Sequence, residues 1–327
     1  MLTVIVLIAI AGAVGLAAIV LTLRSPTLRL VLKRPYRRIA YRALTALGRN
    51  YTRIDPADWS RAVAIAKTER DLRRSCRLID RDAGMRLVDT PLGSFWIPDT
   101  DGEGYDGFLL MVAEELNNHY HFDTAAYVLD CGANLGTFTR LALNRGAKVV
   151  VAIEPAPEVA HCLRRTFAQE LTTGRVILEE TGLWDKEERL FLHTPGTSWN
   201  NTIVAGEDGQ PGVWVPLTTI DAIVTELELP SVDFIKMDIE GAEIRALEGA
   251  KATIGRWKPL ISVATEHTDD KLKNAADVSG VVRGFEQYTE ACIKVGIGRT
   301  RPVFGASLPS RIDPEIMMFR HSSSPAA

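Results

Sequence analysis

Apolar positions fall into three regimes along this chain. From Leu2 to Leu23 they run together without a single charge. From residue 24 to about 125 they are broken up by many charged residues. From Ala126 onward, short apolar runs alternate with stretches of helical spacing. A helix over the first regime matches a hydrocarbon core of ~30 Å, which predicts a transmembrane anchor over residues 1–23. A cleaved secretory signal is the competing reading. It wants a basic residue ahead of the apolar run, and here Lys and Arg all follow it.

The alternating regime predicts strands over 126–131, 148–153, 175–181, 232–238 and 259–265. Helices are predicted over 137–145, 157–170, 219–228, 242–254 and 271–291. Runs such as Val149–Ile153 and Leu260–Val263 suit strands covered on both faces. The order implies right-handed crossovers and a mainly parallel, Rossmann-like α/β sheet with helices on both faces. Residues 188–217 interrupt it with short β pieces and a Gly- and Pro-rich loop, 206–212. Upstream, Asp55-Pro56 opens a stretch of helical spacing over 58–82, with Pro in the first turn. Residues 84–89 break into extended structure, Ser94–Ile97 reads as a short strand, and Phe108–Leu116 as a helix placed to cover a ligand. The domains expected are an anchor (1–23), a basic neck and helical linker (24–88), a catalytic body (89–320) and a disordered tail (321–327).

Charge changes this picture. Residues 1–54 hold no Asp or Glu but nine basic residues: Arg24, Arg29, Lys33, Arg34, Arg37, Arg38, Arg42, Arg49 and Arg53. Subtracting these from the net −3 leaves −12 on the remainder. An acidic body does not suit nucleic acid. A basic neck suits an anionic lipid surface, and the positive-inside rule puts the body in the cytoplasm. Cys76, Cys131, Cys162 and Cys292 form no C-x-x-C pair, so neither a zinc site nor a disulfide framework is indicated.

The strand ending at Asp130 runs into Cys131-Gly132-Ala133-Asn134-Leu135-Gly136-Thr137. Glycines let a backbone approach a ligand at a strand's carboxyl end. The pattern is not G-x-G-x-x-G, and an acid at the strand end repels a pyrophosphate. It attracts an ammonium. Glu154 ends the next strand, where a carboxylate can accept both hydroxyls of a ribose. S-adenosylmethionine carries an ammonium, a carboxylate and a ribose, with no phosphate. Asp130, Gly132, Asn134, Gly136 and Glu154 are therefore the candidate cofactor residues. Asn134 either fixes the loop or touches the ligand.

A second strand, Asp233–Asp238, ends in Asp238-Ile239-Glu240-Gly241-Ala242-Glu243. With these residues in view the chain resembles the FkbM family of S-adenosylmethionine-dependent methyltransferases. The matching segments are 130–137, Glu154-Pro155, Thr219-Ile220-Asp221 and 233–249, with a looser match at Glu266-His267. The resemblance implies an antiparallel last strand near Ile316–Arg320. It also implies oxygen methylation of a sugar, glycan or polyketide hydroxyl.

Asp238, Glu240 and His267 are the candidate catalytic residues, each at a strand's carboxyl end. A hydroxyl acceptor needs a base within reach of its proton, and a neutral imidazole suits that task near neutral pH. Each has a plainer alternative. Asp238 can cap the following helix, and His267 can be an idle loop histidine. Lys236 reads as the ion-pair partner of a strand-end acid, and Glu243 as an exposed helix residue. Glu266 can orient the imidazole. Asp238, Glu240, Glu266 and His267 can hold a divalent ion if they converge, but their spacing does not require one. His119 and His121 read as surface residues, and Cys131 as packing. Trp199-Asn200-Asn201 either lines an acceptor pocket or makes a turn. The anchor suggests an acceptor at the membrane, such as a lipid-linked saccharide. Two further classes stay open: a nicotinamide-dependent oxidoreductase, and a membrane-tethered binder without activity.

Overall fold

The computed structural model describes residues 56–99, 103–117, 125–193, 202–204, 212–265, 267, 271–297 and 312–323. One compact unit comprises Pro56–Gly296 and Asp313–Ala327. The other, Met1–Asp55 with Ile297–Ile312, lies outside the described residues except at its last boundaries. The expected anchor and the basic stretch to residue 54 fall there. Among the described residues no helix is long and apolar enough to cross a membrane.

A seven-stranded sheet forms the centre. Its strands are β4 (Tyr127–Cys131), β5 (Val149–Ile153), β6 (Val176–Glu179), β11 (Phe234–Met237), β12 (Leu260–Ala264), β13 (Tyr288–Ile297) and β14 (Ile312–His321). Their order is β13-β14-β12-β11-β4-β5-β6. The run from β12 to β6 is parallel, and β14 enters antiparallel against β12. From β4 the chain builds outward through β5 and β6, then returns to lay β11 on the other side of β4. The strand order reverses between β4 and β11, and the carboxyl ends there open a crevice.

Side-chain parity splits the core in two. Val128, Val150, Ala152 and Phe234 face one way, with α3 (Thr137–Asn144) and α4 (Pro157–Thr166) against them. Leu129, Cys131, Val151, Ile235 and Met237 face the other, with α6 (Ile220–Glu226), α7 (Glu243–Glu248), α8 (Lys251–Trp257) and α9 (Lys271–Arg283). This two-sided burial is why β4, β5 and β11 read as continuous apolar runs. Phe138 stacks on Phe234 with centroids 5.8 Å apart, tying α3 to the sheet beside the crevice. A smaller four-stranded sheet, β7-β10-β8-β9, comprises Gly182–Leu183, Gly212–Thr218, Glu188–His193 and Thr202–Val204.

Several sequence expectations change. Helical spacing over 58–82 gives helix only over α1 (Pro56–Ser75). The chain then forms β1 (Arg77–Asp82), β2 (Met85–Thr90) and β3 (Gly93–Pro98), an antiparallel meander. The hairpin turn decides this: Ala83 and Gly84 both take positive φ, the two-residue turn that matches strand twist. The boundary expected at 89 falls inside β2. Leu72, Met85 and Val88 share a cluster with Phe95 and with Phe108 of α2 (Glu103–Leu116), so 56–88 is body and not linker. The helix expected over 242–254 breaks at Gly249, where a Cβ would sit 2.2 Å from the Trp184 carbonyl. The helix over 157–170 breaks at Phe167, which is fully buried with φ −109 and ψ 25, and resumes as α5 (Ala168–Thr172). The helix over 271–291 stops at Arg283, and β13 follows. The tail expected from 321 starts too early, because His321 is 2% exposed at the end of β14.

Candidate active site

The glycine loop after β4 is bound on both sides. The N–H groups of Gly132 and Ala133 donate to the Ile153 carbonyl on β5, each at 3.0 Å, and Asp238 N–H donates to the Cys131 carbonyl at 3.0 Å. Gly132 takes φ +77, and a Cβ on it would lie 1.9 Å from the Asp238 carbonyl oxygen. Only glycine lets the two strand ends come this close. Gly136, at φ +79, caps α3, and its missing Cβ leaves room for Phe167 and Leu163. This is a packing role, away from the cleft wall.

Glu154 supports the loop from β5. Its Oε2 accepts from Asn134 N–H and its Oε1 from Ala156 N–H, both at 2.9 Å. Burial pushes its pKa up to about 7, with the two backbone bonds opposing. Asn134 itself takes φ +47, and its buried Oδ1 has no hydrogen-bond partner among the described residues.

Asp130 differs from the expectation that it meets a ligand ammonium. It is fully buried, and its Oδ2 accepts from the Thr139 hydroxyl at 2.6 Å. Lys236 Nζ lies 3.4 Å from its Oδ1. Parity is the reason: Asp130 lies in register with Lys236 of β11 and points under α3, not out of the strand end. Burial raises its pKa, against the pull of Lys236 and Thr139. Lys236 also donates to the Gly132 carbonyl at 2.7 Å and stands 3.8 Å from Asp238. The ion pair read from the sequence is thus a bridge from loop to strand end.

Across the crevice, Asp238 Oδ1 and His267 Nε2 are 2.7 Å apart, and His267 Nδ1 is 2.9 Å from Glu240 Oε2. Burial lowers the imidazole pKa, but the bonds to Asp238 and Glu240 outweigh it and raise the pKa to about 11. Burial works against the Asp238 carboxylate too, yet Lys236 and His267 hold its pKa down at about 2. The two carboxylates thus hold His267 toward the imidazolium, whereas the base expected of it needs the neutral ring. Asp238 keeps the most exposure in this cluster, 44% against 32% for Glu240 and 13% for His267.

Glu243 is 1% exposed, not the surface residue its helical position implies. Its Oε1 accepts from Ile239 N–H at 3.1 Å and Gly241 N–H at 3.3 Å. Those bonds pin a turn in which Glu240 and Gly241 take φ +55 and +103. The turn aims Asp238 and Glu240 at one imidazole. Glu243 was missed because an acid in a first helical turn usually faces solvent.

Gly132, Asn134, Glu154, Lys236, Asp238 and Glu240 line a single cleft, joined by Met111, Glu114 and Glu115 of α2. The helix expected to cover a ligand does border it. Asp130, Gly136 and His267 stand behind the wall. Glu266, His119, His121 and Trp199-Asn200-Asn201 lie outside the described residues. Burial pushes the Cys131 thiol far up, in keeping with packing.

Residues 130–289 match the family model described as the methyltransferase FkbM domain. Over those residues the chain is similar to the FkbM methyltransferase domain. It is also similar, at 25% identity over 236 residues, to the AMB antimetabolite synthetase AmbE of Pseudomonas aeruginosa. That match takes in 58% of this chain but only 11% of the relative's length. A methyltransferase FkbM from Methylobacillus flagellatus superposes with a TM-score of 0.40 at 20% identity, over 67% of this chain and 55% of that one. The O-methyltransferase TomG of Streptomyces achromogenes, solved with SAM, gives 0.37 at 12%, over 85% and 95%. The likeness to the FkbM domain rests on the family model and not on these superpositions. The glycine loop and the Asp238–Glu243 turn both fall inside the matched residues.

The chain thus sets two kinds of acid at one switch point. Glu154 is engaged by backbone N–H groups, and Asp238 by charged side chains.

Proposed function

We propose that the protein is an S-adenosylmethionine-dependent methyltransferase acting on a hydroxyl of a sugar, glycan or lipid-linked acceptor at a membrane. The observation that carries the reading is the cleft at the β4–β11 switch point, within the residues that match the methyltransferase FkbM domain, with the orphaned Asn134 Oδ1 and the carboxylate of Glu154 on its wall. The cofactor fits these residues. A buried acceptor with no partner costs about 1–3 kcal/mol unless a donor arrives, and the amino end of the cofactor is such a donor. Glu154 spends one lone pair of each oxygen on the loop and keeps others for ribose hydroxyls. When bound, the cofactor supplies an activated methyl group on a sulfonium.

The remaining work falls to the chain. Asp238 accepts the hydrogen bond of the acceptor hydroxyl and aligns its oxygen for transfer; with its pKa held at about 2 it is a weak base, and the proton is lost to solvent through the cleft. His267 and Lys236 keep Asp238 ionised and fixed in direction. α2 narrows the cleft and limits water. Positioning of this kind lowers a barrier by several kcal/mol. Tethering at a membrane is supported by the apolar run Leu2–Leu23 and the nine basic residues after it.

The test is incubation with methyl-labelled cofactor and total membrane extract. Label is expected in a glycan or lipid fraction, and much reduced with Asp238→Asn. No labelled product, with no calorimetric binding of S-adenosylhomocysteine, would overturn the reading. Tighter binding of NAD would favour an oxidoreductase.

A further inference from the structure

The α1–β1 junction carries a surface that the methyltransferase site does not use. Lys67, Arg70 and Arg74 follow one another along α1 at helical spacing, and Arg77 opens β1. All four are exposed, and none forms an ion pair with a described residue. Leu78 and Ile79 come next, 50% and 57% exposed. They are two of only four exposed large apolar side chains among the described residues. Nearby charges do not cancel the basic group. Glu69 is buried and pairs with Arg73, which also binds Asp106. Asp82 pairs with Arg165 and Arg81 with Asp99, while Asp80 accepts from the backbone N–H of Arg81 and stays an exposed acid beside Ile79. Asp71 is the one exposed acid between Ala64 and Ile79.

β1 is the edge of its sheet, and all six of its residues are exposed. A register shift lies between Leu78 and Asp80. Such bulges re-aim side chains and spoil strand-to-strand addition, so this edge is poorly suited to another strand. An apolar pair behind a row of cations suits an interface of lipid headgroups and acyl chains.

The geometry points to a second membrane contact, in which Leu78 and Ile79 enter an anionic phospholipid surface while Lys67, Arg70, Arg74 and Arg77 meet its headgroups. The inference rests on the tethered reading for the presence of a membrane, but its residues are separate from those of the anchor. Charge complementarity selects the occupant, since cations near such a surface contribute about 1 kcal/mol each. Continuity of the chain agrees, because only Asp55 separates Pro56 from the acid-free, basic stretch 24–54.

The experiment is hydrogen exchange on the full chain in lipid nanodiscs, read at the amides of Arg77–Asp82. Slower exchange is expected on discs containing phosphatidylglycerol and not on phosphatidylcholine alone. The K67Q/R70Q/R74Q/R77Q variant should weaken the contact roughly 100-fold or more, and L78S/I79S should abolish the protection. Neither set touches the cleft, so cofactor binding serves as the control for folding. Equal protection on both lipids would overturn the inference. So would protection that rises with protein concentration in lipid-free detergent, which marks a second copy of the chain. If the chain is not retained by discs, the tether fails alone. Phosphatidylglycerol vesicles added to the free chain then decide this surface, and absence of protection there overturns it.

Discussion

The two sides of the cleft use the same residue types for different ends. On the β4–β5 side the acids brace the scaffold: Asp130, buried under α3, bonds the Thr139 hydroxyl, and Glu154 holds the glycine loop by two N–H groups. On the β11–β12 side the acids bond a side chain, with Asp238 and Glu240 closing on His267. Burial dominates the first pair and raises both pKa values. Cationic neighbours win on the second side and depress Asp238. A carboxylate at a strand end therefore has no fixed function. Its neighbours decide whether it props a loop, binds a hydroxyl or holds a charge.

Breaking the acceptor side should have the largest effect. Asp238→Asn removes the ionised oxygen that aligns the acceptor, and methyl transfer should fall on the order of 10²-fold. The His267 pKa should drop from about 11 toward 6.5, as read by NMR titration. The sign of the linkage follows. Because the folded pKa is raised, the stabilisation from His267 is complete below 6.5 and is lost as pH rises through about 11. Wild type should weaken over that alkaline window, and the variant over a smaller part of it, because Glu240 still bonds His267.

Gly132→Ala attacks the contact between the two sides. The left-handed backbone costs about 1–2 kcal/mol for a non-glycine residue. Overlap with the Asp238 carbonyl adds to it. Chemical denaturation should show at least ~2 kcal/mol lost, with both ligand affinity and turnover reduced.

Glu154→Gln sharpens the comparison on the cofactor side. Affinity for S-adenosylhomocysteine should fall roughly tenfold by calorimetry. In wild type it should weaken as pH falls through about 7, because protonation of Glu154 removes an acceptor. The variant should lose that dependence.

Glu243 gives the smallest and most diagnostic effect. Glu243→Ala leaves two turn N–H groups without their acceptor, a loss of about 1–3 kcal/mol. Glu243→Gln keeps an acceptor oxygen and should restore most stability while moving the His267 pKa slightly down. If Ala and Gln behave alike, the turn is not held by these bonds.

Much of this was legible in the sequence. Apolar runs fixed the order of β4, β5, β11 and β12, because strands buried on both faces leave no polar alternation. Asp238, Glu240, Asn134 and Glu154 were found because strand-end acids and glycine turns sit at predictable places in such a sheet. Asp130 was misread because its strand-end position said nothing about which face it takes. His267 was named, but its protonation was not legible, since both carboxylates reach it across more than 25 residues of chain. The β1–β2 hairpin was hidden inside a run of charges with helical spacing. The last strand was read at Ile316–Arg320 and runs antiparallel as expected, whereas the start of the edge strand β13 was taken for helix because its pairing is long-range.

By itself the sequence determined the layer architecture, the crevice between β4 and β11, and the set of side chains beside it. Those follow from burial patterns and backbone geometry, which are local. Only the tertiary structure decided which acids are charged, which are buried, and which N–H groups or imidazole they meet. Protonation and hydrogen bonding depend on distances of a few ångströms between residues far apart in the chain, and no local pattern encodes those distances.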